Sequence, residues 1–337
     1  MATKRSLEHF FAQVPPSLVR ISRDVPARRL TTFGLGAAVD FLIEPLSEEG
    51  LSECLRLMLK HGVPWRAIAG GSNVVLPDCG LRIPVLHLGR EWAAFAIEQM
   101  EELQSGLMPH GQSVSVCLGA GCSLMSVSKQ CASEGLSGFE FAAGIPALIG
   151  GAVATNAGAH GCDLSKLLTR VKVVDNNGLV REVRPEDIGF SYRTSGLKRG
   201  DLVIGVSCEL HVDEAQEVER LRSEMLGKRK TTQPLQFPSA GSVFKNPSRK
   251  TVSGEGSTLP ENYSAGFLLE SAGLKGERIA GLVYSDLHAN WVIKDGKDAS
   301  TSDLRNLVEV GQQRVHREFG VDLSLEIDIW DESDVGT

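Results

Sequence analysis

The chain has 337 residues, of which 42% are hydrophobic and 23% charged, and its formal net charge is −7. This length predicts two or three domains, and the composition excludes wholesale disorder and a fibrous structure. The acidic balance argues against general nucleic-acid binding, because affinity for duplexes depends on clustered Lys and Arg side chains.

The hydropathy pattern and the cysteines predict a cytosolic protein without membrane insertion. No apolar run is long enough to cross a bilayer, and residues 1–23 lack the apolar stretch of a signal peptide. The seven cysteines are scattered, which indicates reduced thiols and not a disulfide framework. Cys117 and Cys122 are the closest pair, but their spacing is not that of a zinc knuckle, so buried thiols are favoured and no metal site is expected.

The first third of the chain predicts two strands around one helix. A strand is expected over residues 39–43, and Ser47 is the expected N-cap of a helix that ends at Gly62. One face of this helix carries the apolar residues Leu51, Cys54, Leu55 and Met58. A second strand, over residues 65–69, stops at the glycine-rich segment Gly70-Gly71-Ser72-Asn73.

The middle of the chain has further strand patterns. Strands are expected over residues 81–88, 114–118 and 202–212, a polar surface connection over 98–112, and a short helix after Gly121. Asn177-Gly178 lies between two β-branched runs and predicts a tight hairpin over residues 171–183. Residues 213–230 have helical spacing and many charges, which predicts a solvated helix leading into a C-terminal domain.

The C-terminal third predicts a loop, a long helix and a strand. Residues 248–262 are rich in Ser, Gly and Pro, as in a surface loop, and Ser302 is the expected cap of the last helix. In residues 321–329 apolar and polar residues alternate, so Glu326 is expected to point away from the apolar face. The apolar stripe of the helix comprises Leu304, Leu307, Val308, Val315 and Phe319.

Two glycine clusters are candidates for ligand binding. Gly70-Gly71-Ser72-Asn73 offers backbone N–H groups and small polar side chains, as a phosphate cradle does, although such a segment is also typical of a simple turn. The second cluster runs from Gly144-Ile145-Pro146 to Asn156-Ala157-Gly158. Its small residues allow either a flat ligand or a second backbone segment to approach closely, and both interpretations stay open.

Two common nucleotide motifs are missing from the sequence. Gly34-Leu35-Gly36 and Gly119-Ala120-Gly121 lack the third glycine of a dinucleotide-binding fingerprint. No Gly-Lys-Ser or Gly-Lys-Thr follows a glycine-rich stretch, so an ATP-dependent phosphotransferase has little support.

Two polar clusters are candidates for catalysis or substrate binding. The segment 239–247, with Ser242, Lys245 and Asn246, combines a hydroxyl, a cation and an amide, although loop and capping roles also account for the serines. The segment 190–195 contains Tyr192-Arg193, where a surface role for the arginine is the alternative.

Taken together and in this order, these segments resemble the UDP-N-acetylenolpyruvoylglucosamine reductases, also called UDP-N-acetylmuramate dehydrogenases, over nearly the whole chain. The order of the motifs makes the resemblance specific. No long tyrosine-bearing insertion separates Leu210 from Arg229, so the chain resembles the shorter, second type. The matching segments are Thr32-Phe33, Gly70 to Asn73, Gly144 to Pro146, Asn156 to Gly158, Tyr192-Arg193, Gly241 to Pro247, His288 to Asn290, and Glu326.

The resemblance implies an α+β protein with the two-subdomain FAD-binding fold of the vanillyl-alcohol-oxidase (PCMH-type) class and a C-terminal α/β substrate-binding domain. We expect an N-terminal arm over residues 1–24, the FAD-binding subdomains over 25–99 and 100–228, and the substrate-binding domain over 229–337. FAD and NADPH are the implied cofactors, and peptidoglycan precursor synthesis is the implied process.

The resemblance also assigns roles to individual residues. FAD, reduced by NADPH, would supply a hydride to UDP-N-acetylglucosamine enolpyruvate, Ser242 would donate the proton, and Arg193 and Glu326 would stabilise the charge between the two transfers. The implied FAD-binding residues are Gly70, Gly71, Ser72, Asn73, Gly144, Ile145, Gly151 and Ala152. The implied substrate contacts are Tyr192, Gln233, Lys245, Asn246 and His288, of which Gln233 and His288 are the weaker candidates.

Three residues depart from the family pattern and keep alternatives open. Asp328 stands where an arginine is common, which predicts repulsion of the substrate carboxylate, Ala147 replaces a usual glycine, and His160 replaces a common tyrosine. The alternatives are a flavin oxidase or dehydrogenase acting on another substrate, and a non-catalytic FAD-binding paralogue. A plain NAD-dependent Rossmann dehydrogenase is the third. The sequence leaves the oligomeric state, the NADPH or NADH preference and protein partners open.

Overall fold

The computed structural model describes residues 14–106, 108–248 and 263–331, which form an α+β protein. The helices are α1 (Glu48–Lys60), α2 (Met100–Gln104), α3 (Leu124–Ser133), α4 (Ile149–Ala154), α5 (Pro185–Ile188), α6 (Ala215–Thr232), α7 (Ala265–Ser271) and α8 (Thr301–Phe319). The first strands are β1 (Val19–Val25), β2 (Val39–Pro45), β3 (Arg66–Ile68), β4 (Val74–Val75), β5 (Val85–His87), β6 (Phe95–Ile97), β7 (Ser113–Gly119) and β8 (Leu136–Ser137). The others are β9 (Gly158–Ala159), β10 (Cys162–Asp163), β11 (Leu168–Val174), β12 (Val180–Val183), β13 (Leu202–Val212), β14 (Arg278–Ile279), β15 (Leu282–Tyr284), β16 (Val292–Lys294) and β17 (Asp328–Ile329).

Three sheets of three or more strands organise the described residues, and the pairs β9–β10 and β4–β17 form two further two-stranded sheets. The first has the order β1-β2-β5-β3, with β5 parallel to both β2 and β3. The second is antiparallel with the order β12-β11-β13-β7-β6, and β8 adds to the far end of β13. The third consists of β14-β15-β16 and packs with α7 and α8 in the C-terminal part.

The predicted N-terminal elements are confirmed. Ser47 accepts a hydrogen bond from the Gly50 backbone at the start of α1, and Gly62 adopts a φ of +60° directly after its end. The glycine segment 70–73 follows β3, as predicted, and the hairpin around Asn177-Gly178 joins β11 to β12. The connection over 98–112 contains one short helix, α2, that the polar composition did not predict.

Two predictions about the C-terminal part were wrong. The cap of α8 is Ser300 and not Ser302, because Ser300 and Asp303 form a reciprocal capping box. Within residues 321–329 only β17 is regular strand, although the burial of alternate apolar residues is as predicted. The loop predicted over 248–262 lies, apart from Ser248, outside the described residues.

The predicted domain boundaries do not coincide with the elements. A boundary at residue 25 separates β1 from β2, yet these two strands pair over their whole length. A boundary at residue 100 assigns β6 to the first subdomain, whereas β6 pairs with β7 of the second sheet. A boundary at residue 229 lies inside the last turn of α6, which ends at Thr232.

The C-terminal part is fastened to the first sheet region at two places. Strand β17 runs parallel to β4, and the Asp328 N–H donates to the Asn73 carbonyl over 2.8 Å. At the start of α8 the Asp78 carboxylate accepts hydrogen bonds from the Thr301 and Ser302 backbone N–H groups at 2.8 and 2.9 Å. Both contacts join residues more than 200 positions apart, so they orient the C-terminal part above the glycine segment. Within the described ranges, no helix is long and apolar enough to span a membrane.

Candidate active site

A cavity of about 1020 Å³ opens beside the carboxyl end of β3. The predicted cradle residues Gly70, Gly71, Ser72 and Asn73 all line it. Opposite them are Ala147, Leu148 and Gly151, which belong to the second glycine cluster. Further lining residues include His61, Trp65, Arg66, Asn176, Arg199, Asp328 and Trp330. The volume is at the upper end of the range of about 300–1,000 Å³ that cofactor sites occupy, which is large enough for a dinucleotide.

The shape of the glycine segment depends on Gly71. Its φ is +61°, and a Cβ atom there would lie 1.8 Å from the Leu30 carbonyl oxygen. The Gly71 carbonyl in turn accepts from the Thr32 N–H over 3.1 Å. Only glycine fits this close approach, so residues 70–73 turn sharply along the cavity wall and expose their backbone.

The second glycine cluster contributes to the cavity in part. Gly151 lines it, and a Cβ atom there would lie 2.9 Å from the Ala69 side chain. Ala152 does not line it, because its side chain is fully buried in the core of the second sheet. Ile145 packs against the same core, and Gly144 lies against the side chains of Leu226 and Arg229. The cluster therefore serves both interpretations left open by its sequence, a ligand wall and close internal packing.

Arg193 and Glu326 form a direct ion pair. Arg193 stands in a tight turn closed by two backbone hydrogen bonds between Ser191 and Thr194, and its φ is +53°. Its Nε donates to Glu326 Oε1 over 2.7 Å, and its Nη2 donates to the Gly158 carbonyl over 2.7 Å. A non-glycine residue in the left-handed region carries strain, which two charge-assisted contacts offset here.

Glu326 lies where the C-terminal part meets the cavity. Its backbone N–H donates to the Val243 carbonyl over 2.8 Å, and its own carbonyl accepts from Asn73 Nδ2 over 2.9 Å. Burial raises the pKa of its carboxyl group, although the nearby cations Arg193 and Lys245 favour the charged form. Glu326 therefore connects the glycine segment, the arginine and the serine segment in one place.

Ser242 directly precedes Val243, the residue that accepts from the Glu326 N–H, and its backbone is fixed by its neighbours. It forms an isolated antiparallel bridge with Trp291, and the following residue, Val243, donates its N–H to the Asn290 carbonyl over 2.8 Å. The Asn290 side chain accepts from the Phe244 N–H at 2.9 Å and donates to the Phe244 carbonyl at 2.8 Å. This two-sided clamp fixes the backbone directly after Ser242.

The predicted substrate contacts occupy different environments. Tyr192 is 54% exposed, with its ring centroid 5.4 Å from the Arg193 guanidinium. The charge of Lys245 acts on Glu326. Asn246 Oδ1 accepts from the Ala265 N–H at the start of α7, which is a capping role.

His288 is half-buried, and its Nδ1 accepts from the Asn290 N–H over 3.2 Å, as in a hydrogen-bonded structural histidine. Burial, with a smaller effect of Lys275, lowers the pKa of this ring. Gln233 follows α6, and its enclosed Oε1 has no hydrogen-bond partner among the described residues.

Asp328 does not act as the uncompensated charge that its position in the sequence suggests. Its carboxylate accepts from Arg66 Nη2 over 3.2 Å and from Trp330 Nε1 over 2.6 Å. The Arg66 guanidinium lies 4.1 Å from the centroid of the Trp330 ring. Arg66 neutralises the carboxylate, so the expected repulsion of a substrate carboxylate is offset at this cavity wall.

Sequence reasoning did not assign a role to Asn290 or to Thr32. Asn290 forms the clamp on Phe244, and Thr32 donates its hydroxyl to the Ser239 carbonyl over 2.7 Å. Both lie inside segments that resemble the family, but their contacts are more than 40 residues distant along the chain. Periodicity and local spacing carry no signal for such pairs.

Comparisons with known proteins agree with this geometry. Residues 39–184 match the FAD binding domain family, and residues 233–330 match the family "UDP-N-acetylenolpyruvoylglucosamine reductase, C-terminal domain". These two matches confirm the FAD-binding fold followed by a distinct C-terminal domain.

Similar whole proteins cover nearly the full chain. The UDP-N-acetylenolpyruvoylglucosamine reductase of Heliobacterium modesticaldum is 36% identical over 90% of this chain and 88% of its own length. A second one, from Symbiobacterium thermophilum, is 36% identical over 92% of each chain. The crystal structure of the Thermus caldophilus reductase superposes with a TM-score of 0.73 at 30% identity and covers 93% of this chain and 100% of its own. On sequence and fold, the chain belongs to the UDP-N-acetylenolpyruvoylglucosamine reductase family.

Proposed function

We propose that this chain reduces UDP-N-acetylglucosamine enolpyruvate to UDP-N-acetylmuramate with FAD and NADPH, and that Ser242, Arg193 and Glu326 are its catalytic residues. The observation that carries the proposal is the meeting of the Arg193–Glu326 ion pair with the Ser242 segment beside the cavity. A flavin-binding fold alone does not require this arrangement.

The cavity residues suit FAD. The backbone of residues 70–73 and the Asn73 side chain border a dinucleotide-sized space, and Gly151 leaves room on the opposite wall. Backbone N–H groups in such a turn bind diphosphates without side-chain charge. Held there, FAD would supply the hydride chemistry that the reduction of an enol ether requires, with NADPH as the source of electrons.

Arg193 stabilises the negative charge that the substrate carries between hydride and proton transfer. Its guanidinium is permanently charged, and the contacts with Glu326 and Gly158 hold it in one orientation. A cation that is already oriented needs no reorganisation when negative charge develops on the substrate. Such preorganised electrostatic stabilisation is usually the largest single contribution to rate enhancement.

Glu326 orients this arginine, and its carboxyl group has access to both the neutral and the ionised form. The raised pKa of its carboxyl group, caused by burial, brings the neutral form closer to working pH than for an exposed carboxyl. The neutral form donates a hydrogen bond to a substrate carboxylate, whereas the ionised form keeps Arg193 in place.

Ser242 donates the proton to the substrate carbon. A hydroxyl is a weak acid, but the carbanion or enolate that it quenches is a strong base, so transfer is favourable when the geometry is correct. The bridge to Trp291 and the Asn290 clamp support that geometry by fixing the backbone at the proton donor and directly after it. Lys245 and Tyr192, which flank this centre, are the proposed contacts to the anionic sugar nucleotide.

An anaerobic stopped-flow record of flavin absorbance tests the proposal. The purified protein is first mixed with NADPH and then with UDP-N-acetylglucosamine enolpyruvate. We expect bleaching on the first addition and recovery of absorbance on the second, with UDP-N-acetylmuramate as product. NADH in place of NADPH measures the nucleotide preference.

Two other outcomes would contradict the proposal. Bleaching that only oxygen reverses would indicate a flavin oxidase or a different substrate. Stoichiometric flavin without bleaching by NADPH would indicate a binding protein that does not catalyse the reaction. Neither alternative assigns a function to the Asn290 clamp after Ser242 or to the Arg193–Glu326 pair.

A further inference from the structure

Arg229 is the only buried cationic side chain in the described part of the chain, with 9% of its surface exposed. It lies in the last turn of α6, and its enclosed Nε atom has no hydrogen-bond partner. Across the described ranges its guanidinium also forms no ion pair. Removing a charge from water without a partner is strongly unfavourable. An enclosed cation of this kind fits a site whose ligand brings the negative charge.

The surroundings of Arg229 connect it to the active site. A Cβ atom on Gly144 would lie 3.2 Å from Arg229 Nε, and Gly144 begins the segment whose residues Ala147 and Leu148 line the cavity. Burial, followed by the positive charge of Arg193, lowers the pKa of Arg229. Arg229 is therefore a second cation near Arg193, and it lies against the residue that begins the segment leading into the cavity wall.

Gln233 adds a second group without a partner. It follows Arg229 by one helical turn, and its backbone N–H donates to the Arg229 carbonyl over 2.9 Å. Its enclosed Oε1 accepts no hydrogen bond from the described residues. A buried acceptor without a donor is also unfavourable, so the two groups together point to a ligand edge with both an anionic acceptor and an N–H donor.

The pyrimidine edge of an isoalloxazine ring has this combination. It presents an imide N–H between two carbonyl groups, and it takes up negative charge when the ring is reduced. A carboxylate or a phosphate offers acceptors only, and therefore leaves Gln233 Oε1 unsatisfied.

We propose that Arg229, assisted by Gln233, binds the pyrimidine edge of the flavin and raises its reduction potential. Arg229 then stabilises the reduced cofactor, while Arg193 acts on the substrate. This inference rests on the proposed function, because it requires FAD in the cavity.

The test is the midpoint potential of bound FAD in wild type, Arg229→Met and Arg229→Lys, measured by anaerobic dye equilibration. Loss of the cation disfavours the negatively charged reduced form, so Arg229→Met is expected to bind reduced FAD at least tenfold less tightly relative to oxidised FAD. That ratio corresponds to a midpoint potential about 30 mV lower for a two-electron couple. Arg229→Lys keeps the charge and is expected to recover most of the difference.

Lys230→Met is the matched control, because Lys230 is the next residue of the same helix but is exposed. It is expected to leave the potential unchanged. If Arg229→Met does not retain FAD, Arg229→Gln is measured in its place, since it keeps a hydrogen-bond donor in the buried position.

An unchanged potential together with a raised KM for the sugar nucleotide would overturn the flavin assignment and make Arg229 a substrate residue. An unchanged potential with unchanged kinetics would overturn any ligand role. A wild-type protein that holds no FAD would contradict the proposed function itself, which separates the two failures.

Discussion

At the scale of single residues, the site depends on side chains with two partners each. Arg193 contacts a carboxylate and a carbonyl, Asn290 contacts both backbone groups of Phe244, and Asp328 accepts from Arg66 and Trp330. Residues bound on two sides lose little additional entropy in the transition state, so the geometry of the proposed catalytic residues exists before substrate binds.

Ser242→Ala separates the two halves of the reaction. Flavin reduction by NADPH should stay within about twofold of wild type, because it uses no proton from this serine. Reoxidation by the enolpyruvyl substrate should slow by about 10²–10⁴, the usual contribution of a general acid. Single-turnover absorbance records measure both rates, and Ser133→Ala, at an exposed serine of α3, is the control. An equal loss in both halves would contradict a role as proton donor.

Glu326→Gln tests the charge state of the buried carboxyl group. Its pKa in the folded protein is raised by burial, so the folded state binds a proton more tightly than the unfolded state does. The stability of wild type relative to Glu326→Gln should therefore be greatest below the unfolded pKa and should fall as pH rises through the folded pKa. Urea unfolding between pH 4 and about pH 8 measures the difference. A difference that grows with pH would show that the ion pair with Arg193 dominates burial.

At the scale of elements, the contacts at the ends of helices and strands position the site. The glycine segment ends β3, the Arg193 turn precedes β13, and β17 pairs with β4. Helix α8 is anchored at its first turn by its own capping box and by Asp78 from the first part of the chain. The element boundaries thus decide which functional groups meet.

Asp78→Ala should weaken the attachment of α8 to the first sheet region. It removes acceptors for the Thr301 and Ser302 N–H groups and is expected to cost about 1–2 kcal/mol of unfolding free energy, as for other N-terminal caps. Burial raises the pKa of Asp78, but these hydrogen bonds outweigh burial and hold the pKa below its ordinary value. The stabilisation should therefore be present at neutral pH and disappear as pH falls through that lowered value.

Urea unfolding at pH 7 and in acid checks this expectation. Asp187→Ala is the control, because Asp187 forms an exposed pair with Arg184, and such pairs contribute about 0–1 kcal/mol. Equal losses in the two variants would show that the link between Asp78 and α8 contributes nothing specific.

At the scale of the whole molecule, FAD should act as part of the core. Its cavity is bordered by the first sheet region, by the second glycine cluster and by residues 328 and 330 of the C-terminal part. A ligand that binds only the folded state, at a free concentration 100 times its Kd, stabilises the folded protein by about 2.7 kcal/mol.

Thermal unfolding of flavin-stripped protein with and without FAD measures this linkage. We expect the Tm to rise with FAD concentration. FMN, which lacks the adenosine half, should give a smaller rise at the same concentration, because part of the cavity then stays unfilled. Equal shifts with FMN and FAD would contradict binding along the whole cavity.

The sequence by itself determined the elements and the family. Apolar periodicity located α1, β13 and α8, since burial of one face imposes that spacing. The ordered series of glycine, Tyr192-Arg193 and Ser242 motifs predicted the flavin-binding fold and the reductase family, and both were confirmed. Local chemistry was sufficient here because strands, turns and caps depend on neighbours a few residues apart.

Tertiary structure decided which distant residues meet. It paired Asp328 with Arg66, closed the Arg193–Glu326 contact across 133 positions, and buried Arg229, whose Nε has no hydrogen-bond partner among the described residues. It also assigned Asn246 to the start of α7. A charged residue has the same local pattern on an open surface and in an active site, and only packing against remote segments sets its burial and its partners.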